Sequence, residues 1–201
     1  MPRDTPMRGD ARQRIEDAAV SLFAERPFHQ VGLDAIAGRA HASLQTVYRY
    51  YGGKEAILNA CLHRWARELS VRMADHLQGI ENYKDRLRKV FWVVLDYFDR
   101  NPDVARMIQH TISAEPVQRD VTDEQRMLTE VFLRVLREGR EQGVLTSEIS
   151  EKHLLDYFYG VLMRLVQMHI ARGETEPLAA KTPELFAVLW RALAAPGSAG
   201  S

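Results

Sequence analysis

Apolar residues recur along this chain at intervals of three and four, the spacing that gathers them on one face of an α-helix. Ile15, Ala18, Ala19, Leu22 and Phe23 form the first such stripe, and the helix it predicts must stop before Pro27. Leu33, Ile36, Ala37 and Ala40 form a second, and Leu44, Val47, Tyr48 and Tyr51 a third. Between them the chain turns through His41, Ala42 and Ser43, and the Ser43 hydroxyl is placed to cap the third helix by accepting one of its unpaired first-turn amides. From Lys54 the stripe Leu58, Cys61, Leu62, Trp65 and Leu69 predicts a helix running toward residue 78, about 24 residues or ~36 Å long.

The same period continues to the far end. Leu87, Val90, Phe91, Val94 and Phe98 predict a helix over 81 to 100, followed by a shorter one opened by Asn101 and Pro102. Leu128, Val131, Phe132 and Val135 predict another from about 122 to 142, ended by Gly143. Ser150 is placed to cap a helix ending near Gly173, and Thr182 with Pro183 opens a last one ending near Ala194. No alternating strand pattern and no internal repeat is present, so the fold class is all-α.

Two short helices joined by a three-residue turn make a helix-turn-helix candidate. The string Ile36-Ala37, Ala40, Ser43, Thr46, Tyr48, Tyr50-Tyr51, Lys54-Glu55-Ala56 and Leu58 resembles the N-terminal domain of the TetR/AcrR family of bacterial repressors, over roughly residues 11 to 60. Beyond residue 60 only length and helix order agree. The resemblance implies an N-terminal three-helix helix-turn-helix domain over 11–53 and a C-terminal helical-bundle effector and dimerisation domain over 54–195. Residues 1–10, with two prolines and two arginines, read as a flexible arm in which Arg3 and Arg8 could reach DNA, and 196–201 as a disordered tail. Three positions depart from the family's pattern. His41 stands where the family has Gly, in a turn that favours a left-handed backbone, although histidine is among the less unfavourable substitutes. Gly32, after Val31, stands where relatives carry a capping hydroxyl, and Gly53 replaces the usual Ser or Asn before Lys54.

Composition narrows the partners. With 201 residues and 46% apolar content the chain can bury a core in one domain or two. No apolar stretch is long enough to cross a bilayer, and the first residues lack the apolar segment of a signal peptide, so the expectation is a cytoplasmic protein without a membrane partner. The lone Cys61 excludes an internal disulfide, and its place on the stripe marks it as a core residue. Basic and acidic residues balance at 27 each, which argues against nonspecific coating of nucleic acid. Within residues 1 to 54 basic residues exceed acidic ones by two, and a reader of a defined site needs only a local basic face.

By resemblance, Ser43, Leu44, Gln45, Thr46, Tyr48, Arg49, Tyr50 and Lys54 are the DNA-contacting candidates. Gln45 is the natural base reader, since its amide can pair with adenine N6 and N7, whereas Leu44 could meet a thymine methyl and Arg49 a guanine or a phosphate. Ser43, Thr46, Tyr48, Tyr50 and Lys54 are candidate phosphate clamps, with the amide end of the long helix beside Lys54. Val47 and Tyr51 read as packing. One recognition helix makes too few contacts for a unique site, so a homodimer with two of them about 34 Å apart on a palindromic double-stranded DNA operator is expected.

The helix of 150 to 173 is apolar over most of its circumference, and the last helix adds a second stripe. Phe158, Val161, Leu165, Phe186, Leu189, Trp190 and Leu193 are therefore the expected dimer contacts, in a four-helix interface, the alternative being that both stripes complete the core of a monomer. The resemblance also implies a small-molecule effector among the helices after residue 54. Trp65, Trp92, Phe98, Met107, His110 and Phe132 are candidates to line its cavity, because bulky aromatic and Met side chains suit an apolar ligand. A regulator of the same fold governed by a protein partner is the alternative. None of the seven histidines has a carboxylate three residues before it, and no two lie three or four apart. With no Gly-rich phosphate loop and no Gly-x-Ser-x-Gly either, the sequence offers no metal site, no cofactor site and no catalytic centre.

Overall fold

A computed structural model describes residues 8–112 and 123–197, and these form nine α-helices with two short 3-10 turns. The helices are α1 (Arg8–Glu25), α2 (Leu33–Arg39), α3 (Leu44–Tyr51), α4 (Lys54–Leu77), α5 (Tyr83–Arg100), α6 (Pro102–Ile112), α7 (Asp123–Glu141), α8 (Glu151–Ala171) and α9 (Thr182–Leu193). The all-α expectation holds, and every helix expected from periodicity is present. The 3-10 turns at Phe28–Gln30 and Leu178–Lys181 and an isolated bridge between Leu145 and Ala194 carry no periodic signal. The expected arm is shorter at its inner end, because α1 already includes residues 8 to 10; residues 1–7 and 198–201 lie outside the described residues.

The chain divides into two compact units, Met1–Trp65 with Asp103–Thr122, and Ala66–Pro102 with Asp123–Ser201. The division between these units falls after Trp65, within α4. Its first three turns bury Ile57, Leu58 and Cys61 in the same unit as the α1 stripe of Ile15, Ala18, Ala19, Leu22 and Phe23. Helix α6 returns to that unit, burying Ala105, Met107 and Ile108 and donating from His110 Nδ1 to the Phe23 carbonyl at 3.0 Å.

Helix ends follow local chemistry. The Ser43 hydroxyl accepts from the Thr46 amide at 3.1 Å, and Ser150 caps α8 through the His153 amide at 3.2 Å. Thr182 opens α9 as expected; Lys181 before it makes no side-chain capping bond, and the Thr182 hydroxyl donates to the Ala179 carbonyl. After α2 the amide of His41 bonds the Gly38 carbonyl and that of Ala42 the Ala37 carbonyl, the paired closure of a Schellman motif. That motif requires a left-handed residue, and His41 supplies it with φ of 49°.

In the second unit α5 is the hub, buried along both flanks from Tyr83 to Phe98 and in contact with α8 and α9. Phe91 meets Phe158 edge-on at 6.1 Å and Phe186 at 5.9 Å, and Phe186 stacks on Trp190 at 6.0 Å. This overturns most of the expected dimer set. Phe158, Phe186, Leu189, Trp190 and Leu193 are buried inside their own chain, because α8 and α9 spend these stripes on α5. Of the expected seven, Val161 is exposed at 37% and Leu165 is half-buried. The faces left open carry Tyr157 on α8, 59% exposed, and Val188 on α9, 61% exposed.

The carboxylates that α5 carries into this unit are paired. Asp96 of α5 receives Arg72 of α4 and, at 3.0 Å, the Nε of Arg100. Asp99 accepts the amides of Leu178 and Ala179 at 3.0 and 2.8 Å, fixing the 3-10 turn before α9. Tyr83 donates to the Val135 carbonyl at 2.8 Å and lies so close to α7 that a Cβ on Gly139 would fall 2.2 Å from its ring.

A left-handed non-glycine residue costs about 1–2 kcal/mol, part of which glycine returns as unfolded-state entropy. Replacing His41 with Gly is therefore expected to raise stability by roughly 0.5–1 kcal/mol in chemical denaturation; an unchanged midpoint would show that the turn carries no strain.

Candidate DNA-contacting surface

Helix α3 has only eight residues, too few to persist alone in water, so its packing decides its orientation. The stripe of Leu44, Val47, Tyr48 and Tyr51 divides between two faces. Val47 is fully buried and Tyr51 half-buried, whereas Leu44 and Tyr48 are 42% and 53% exposed. Gln45 and Arg49 are exposed beside them, Ser43 is exposed at the cap, and Thr46 and Tyr50 are half-buried. One side of α3 thus presents an amide, a guanidinium, a phenol and a leucine outward. The Ser43 hydroxyl, 2.8 Å from that of Thr46, is engaged in capping, and the Arg49 guanidinium rests 5.2 Å from the Tyr50 ring centre.

Lys54, a candidate phosphate clamp, also has partners within the chain. Its ammonium donates to the carbonyls of Phe28 and Val31 at 3.1 and 3.2 Å and sits 4.6 Å from the Phe28 ring centre. Two of its three protons are committed to the loop that leads into α2, so Lys54 locks that loop to the start of α4. Gly32 caps α2 without a side-chain bond, as its missing hydroxyl implies, and Gly53 precedes α4 with no side chain to cap it.

The remaining supports of α2 and α3 run to α1. Arg39 of α2 pairs with Glu25, its Nη2 3.1 Å from Oε2, and donates to Ser21 at 2.8 Å; Arg14 donates to the Ala40 carbonyl at 3.2 Å. The Tyr51 hydroxyl donates to Glu16 at 2.7 Å. Burial, then this bond, push the Tyr51 hydroxyl far above the usual tyrosine range, so it stays protonated. Burial likewise pushes the Cys61 thiol up to about 12, and its Sγ donates to the Glu16 carbonyl, which fits the core role read from its stripe. The Tyr51–Glu16 tie spans 35 residues, and no local pattern announces it.

The six effector candidates do not form one group. Trp65, Met107 and His110 belong to the first unit, where Trp65 and Met107 are buried and His110 is bonded to Phe23. Phe98 and Phe132 are buried in the second unit, Phe98 edge-on to Tyr97 and Phe132 against Phe158. Trp92 lies differently. It borders an open cleft of about 630 Å³ with Ile80, Arg88, Lys89, Thr182 and Pro183, under the Lys89 ammonium at 3.9 Å and edge-on to His76. Among the described residues no group of three His, Cys, Asp or Glu could hold a metal ion, and no helix is long and apolar enough to cross a membrane.

A capped recognition helix with a largely polar outer face, set on α1 and α2 after a four-residue turn, defines a helix-turn-helix DNA-binding regulator. The comparisons with known proteins agree. Residues 15–61 match the model of bacterial regulatory proteins of the tetR family, and residues 81–194 match the tetracyclin repressor-like C-terminal domain. The chain belongs to the TetR family of transcriptional regulators. It is similar to the HTH-type transcriptional regulator UidR of Escherichia coli K12, 23% identical over 165 residues, 80% of this chain and 84% of that one. It is also similar to the HTH-type transcriptional repressor SCO4008 of Streptomyces coelicolor, 27% identical over 147 residues, 72% of each chain. In fold it is similar to the fatty acid degradation regulator FadR of Bacillus halodurans, with TM-score 0.79, 18% identity, and 94% of this chain and 97% of that one covered. FadR of Bacillus subtilis, solved in complex with stearoyl-CoA, gives TM-score 0.77 at 19% identity, over 88% and 96% of the two chains.

Replacing Lys54 with Ala is expected to lower stability by about 1–3 kcal/mol, since two carbonyls lose a charged donor. Denaturant unfolding without DNA checks this; an unchanged midpoint would return Lys54 to a purely DNA-facing role.

Proposed function

We propose that this regulator acts in the cytoplasm as a homodimeric repressor that binds a palindromic operator through two copies of α3, and that a small-molecule effector in the C-terminal helices changes its DNA affinity. The observation that carries the reading is the outward face of α3, where Leu44, Gln45 and Tyr48 are exposed around a buried Val47. Gln45 reads a base, Leu44 meets a thymine methyl, Arg49 reaches a base or the backbone, and Ser43, Thr46, Tyr48 and Tyr50 face phosphates. Lys54 contributes its remaining proton and the amide end of α4.

The dimer reading moves to the faces that the core leaves open. Tyr157, Val161 and Leu165 follow one another at turn spacing along α8, and Val188 stands out from α9. Pairing these faces about a two-fold axis buries them without disturbing the stripes packed on α5. The name of SCO4008 supports repression, and the stearoyl-CoA complex of the Bacillus subtilis regulator supports a ligand-responsive C-terminal domain. The effector must bind one DNA-affinity state more tightly than the other, or the equilibrium does not move. Trp92 at its cleft is the first of the six candidates to examine.

Operator sites selected from random DNA provide the test. Gln45→Ala is expected to cost about 1–3 kcal/mol on the selected site and far less on random DNA, and equal losses on both would remove Gln45 as the reader. Val188→Glu is expected to give a folded monomer by light scattering, whereas Leu189→Glu, which buries a charge in the core, unfolds the second unit; a folded Val188→Glu dimer would place the interface elsewhere. A thermal-shift panel of metabolites, among them acyl-CoA thioesters, should yield an effector that stabilises by mass action. A panel without hits would favour control by a protein partner.

A further inference from the structure

The ties that hold the recognition helix converge on one carboxylate. Glu16 of α1 accepts the Tyr51 hydroxyl on Oε1 at 2.7 Å, while its Oε2 lies 3.3 Å from Nη1 of Arg64 on α4. The other Arg64 nitrogen, Nη2, is 2.9 Å from Asp17. Arg12 covers the group from outside, its Nε 3.9 Å from Glu16 Oε1 and its guanidinium 5.5 Å from the Tyr51 ring centre. Three helices, α1, α3 and α4, therefore meet at a side chain that is only 12% exposed.

The geometry around Val47 explains why such a tie matters. Val47 and Tyr51 lie one turn apart on the inward face of α3, and Val47 is held by apolar contact. Apolar contact is not directional, so it resists withdrawal of the helix better than rotation about its axis. The Tyr51 bond is directional and reaches from the last turn of α3 to another helix. A roll of α3 would swing Leu44, Gln45 and Tyr48 through the same angle and move the Gln45 amide off a base edge. A phenylalanine would pack as well as Tyr51, yet here a hydroxyl is half-buried and spent on Glu16.

We propose that Glu16 is a positioning residue for DNA recognition: with Tyr51 and Arg64 it fixes the roll of α3 against α4, so operator affinity depends on it even in fully folded molecules. This rests on α3 being the DNA reader.

The test uses the 201-residue chain well below its melting temperature, with operator affinity and amide exchange of residues 47 to 51 as paired readouts. Tyr51→Phe and Glu16→Ala should each weaken operator binding about tenfold while leaving random-DNA binding unchanged. The double variant should be no weaker than Glu16→Ala alone, because both changes remove the same bond. Glu16→Gln, whose amide oxygen still accepts the Tyr51 hydroxyl, should recover most of the affinity, and exchange in α3 without DNA should quicken only in the weakened variants. Wild-type affinity in folded Tyr51→Phe and Glu16→Ala, losses that add in the double variant, or unchanged exchange would each overturn the proposal. Failure of the unaltered protein to select any operator would count instead against α3 as the DNA reader, and the exchange readout would still decide the tie.

Discussion

A recognition helix of eight residues cannot hold its own shape in water, and the organisation of the first unit follows from that constraint. Ser43 closes the start of α3, Gly52 with φ of 72° closes its end, and Val47 and Tyr51 fasten its inner side. What these residues fasten to must itself be stiff. Helix α1 supplies the support through a stripe that is buried along its length, and it also offers the carboxylates that receive Tyr51, Arg39 and Arg64. The outward side of α3 can then carry polar and aromatic groups that contribute little to stability, because the inward side does not need them.

The second unit solves a different problem. Its central helix α5 is buried on most sides, so the charged residues it carries must find partners, and Asp96 and Asp99 do so with guanidinium groups and backbone amides. Leaving such a carboxylate unpaired in a core would cost several kcal/mol, of order the stability of a whole domain. Gly139 and Tyr83 show the same economy of space, where one helix admits a phenol only because the facing residue has no side chain. Helix α4 runs without interruption from Lys54 to Leu77 and contributes residues to both units.

Much of this was readable in the residue order, since helix starts and ends are local chemistry. The caps at Ser43 and Ser150, the left-handed turn at His41 and the uncapped start of α2 at Gly32 all follow from residues within a few positions of one another. Local order does not fix a side chain that has a choice of distant partners. Lys54 looks like a surface cation, but the carbonyls it found lie 23 and 26 residues away. Phe158, Phe186, Leu189, Trp190 and Leu193 look like interface because they are apolar, and apolarity alone does not say whether the covering surface is the same chain or a second copy.

The sequence by itself determined the helical class, the helix order, the helix-turn-helix and the family to which it belongs, because the 3.6-residue period and the capping residues act over a turn or two. Only the tertiary structure decided which faces remain open, that α6 joins the first unit, and that Glu16 links Tyr51 to Arg64. Those outcomes depend on how helices far apart in the chain pack together, and the spacing of residues within any one helix carries no record of that.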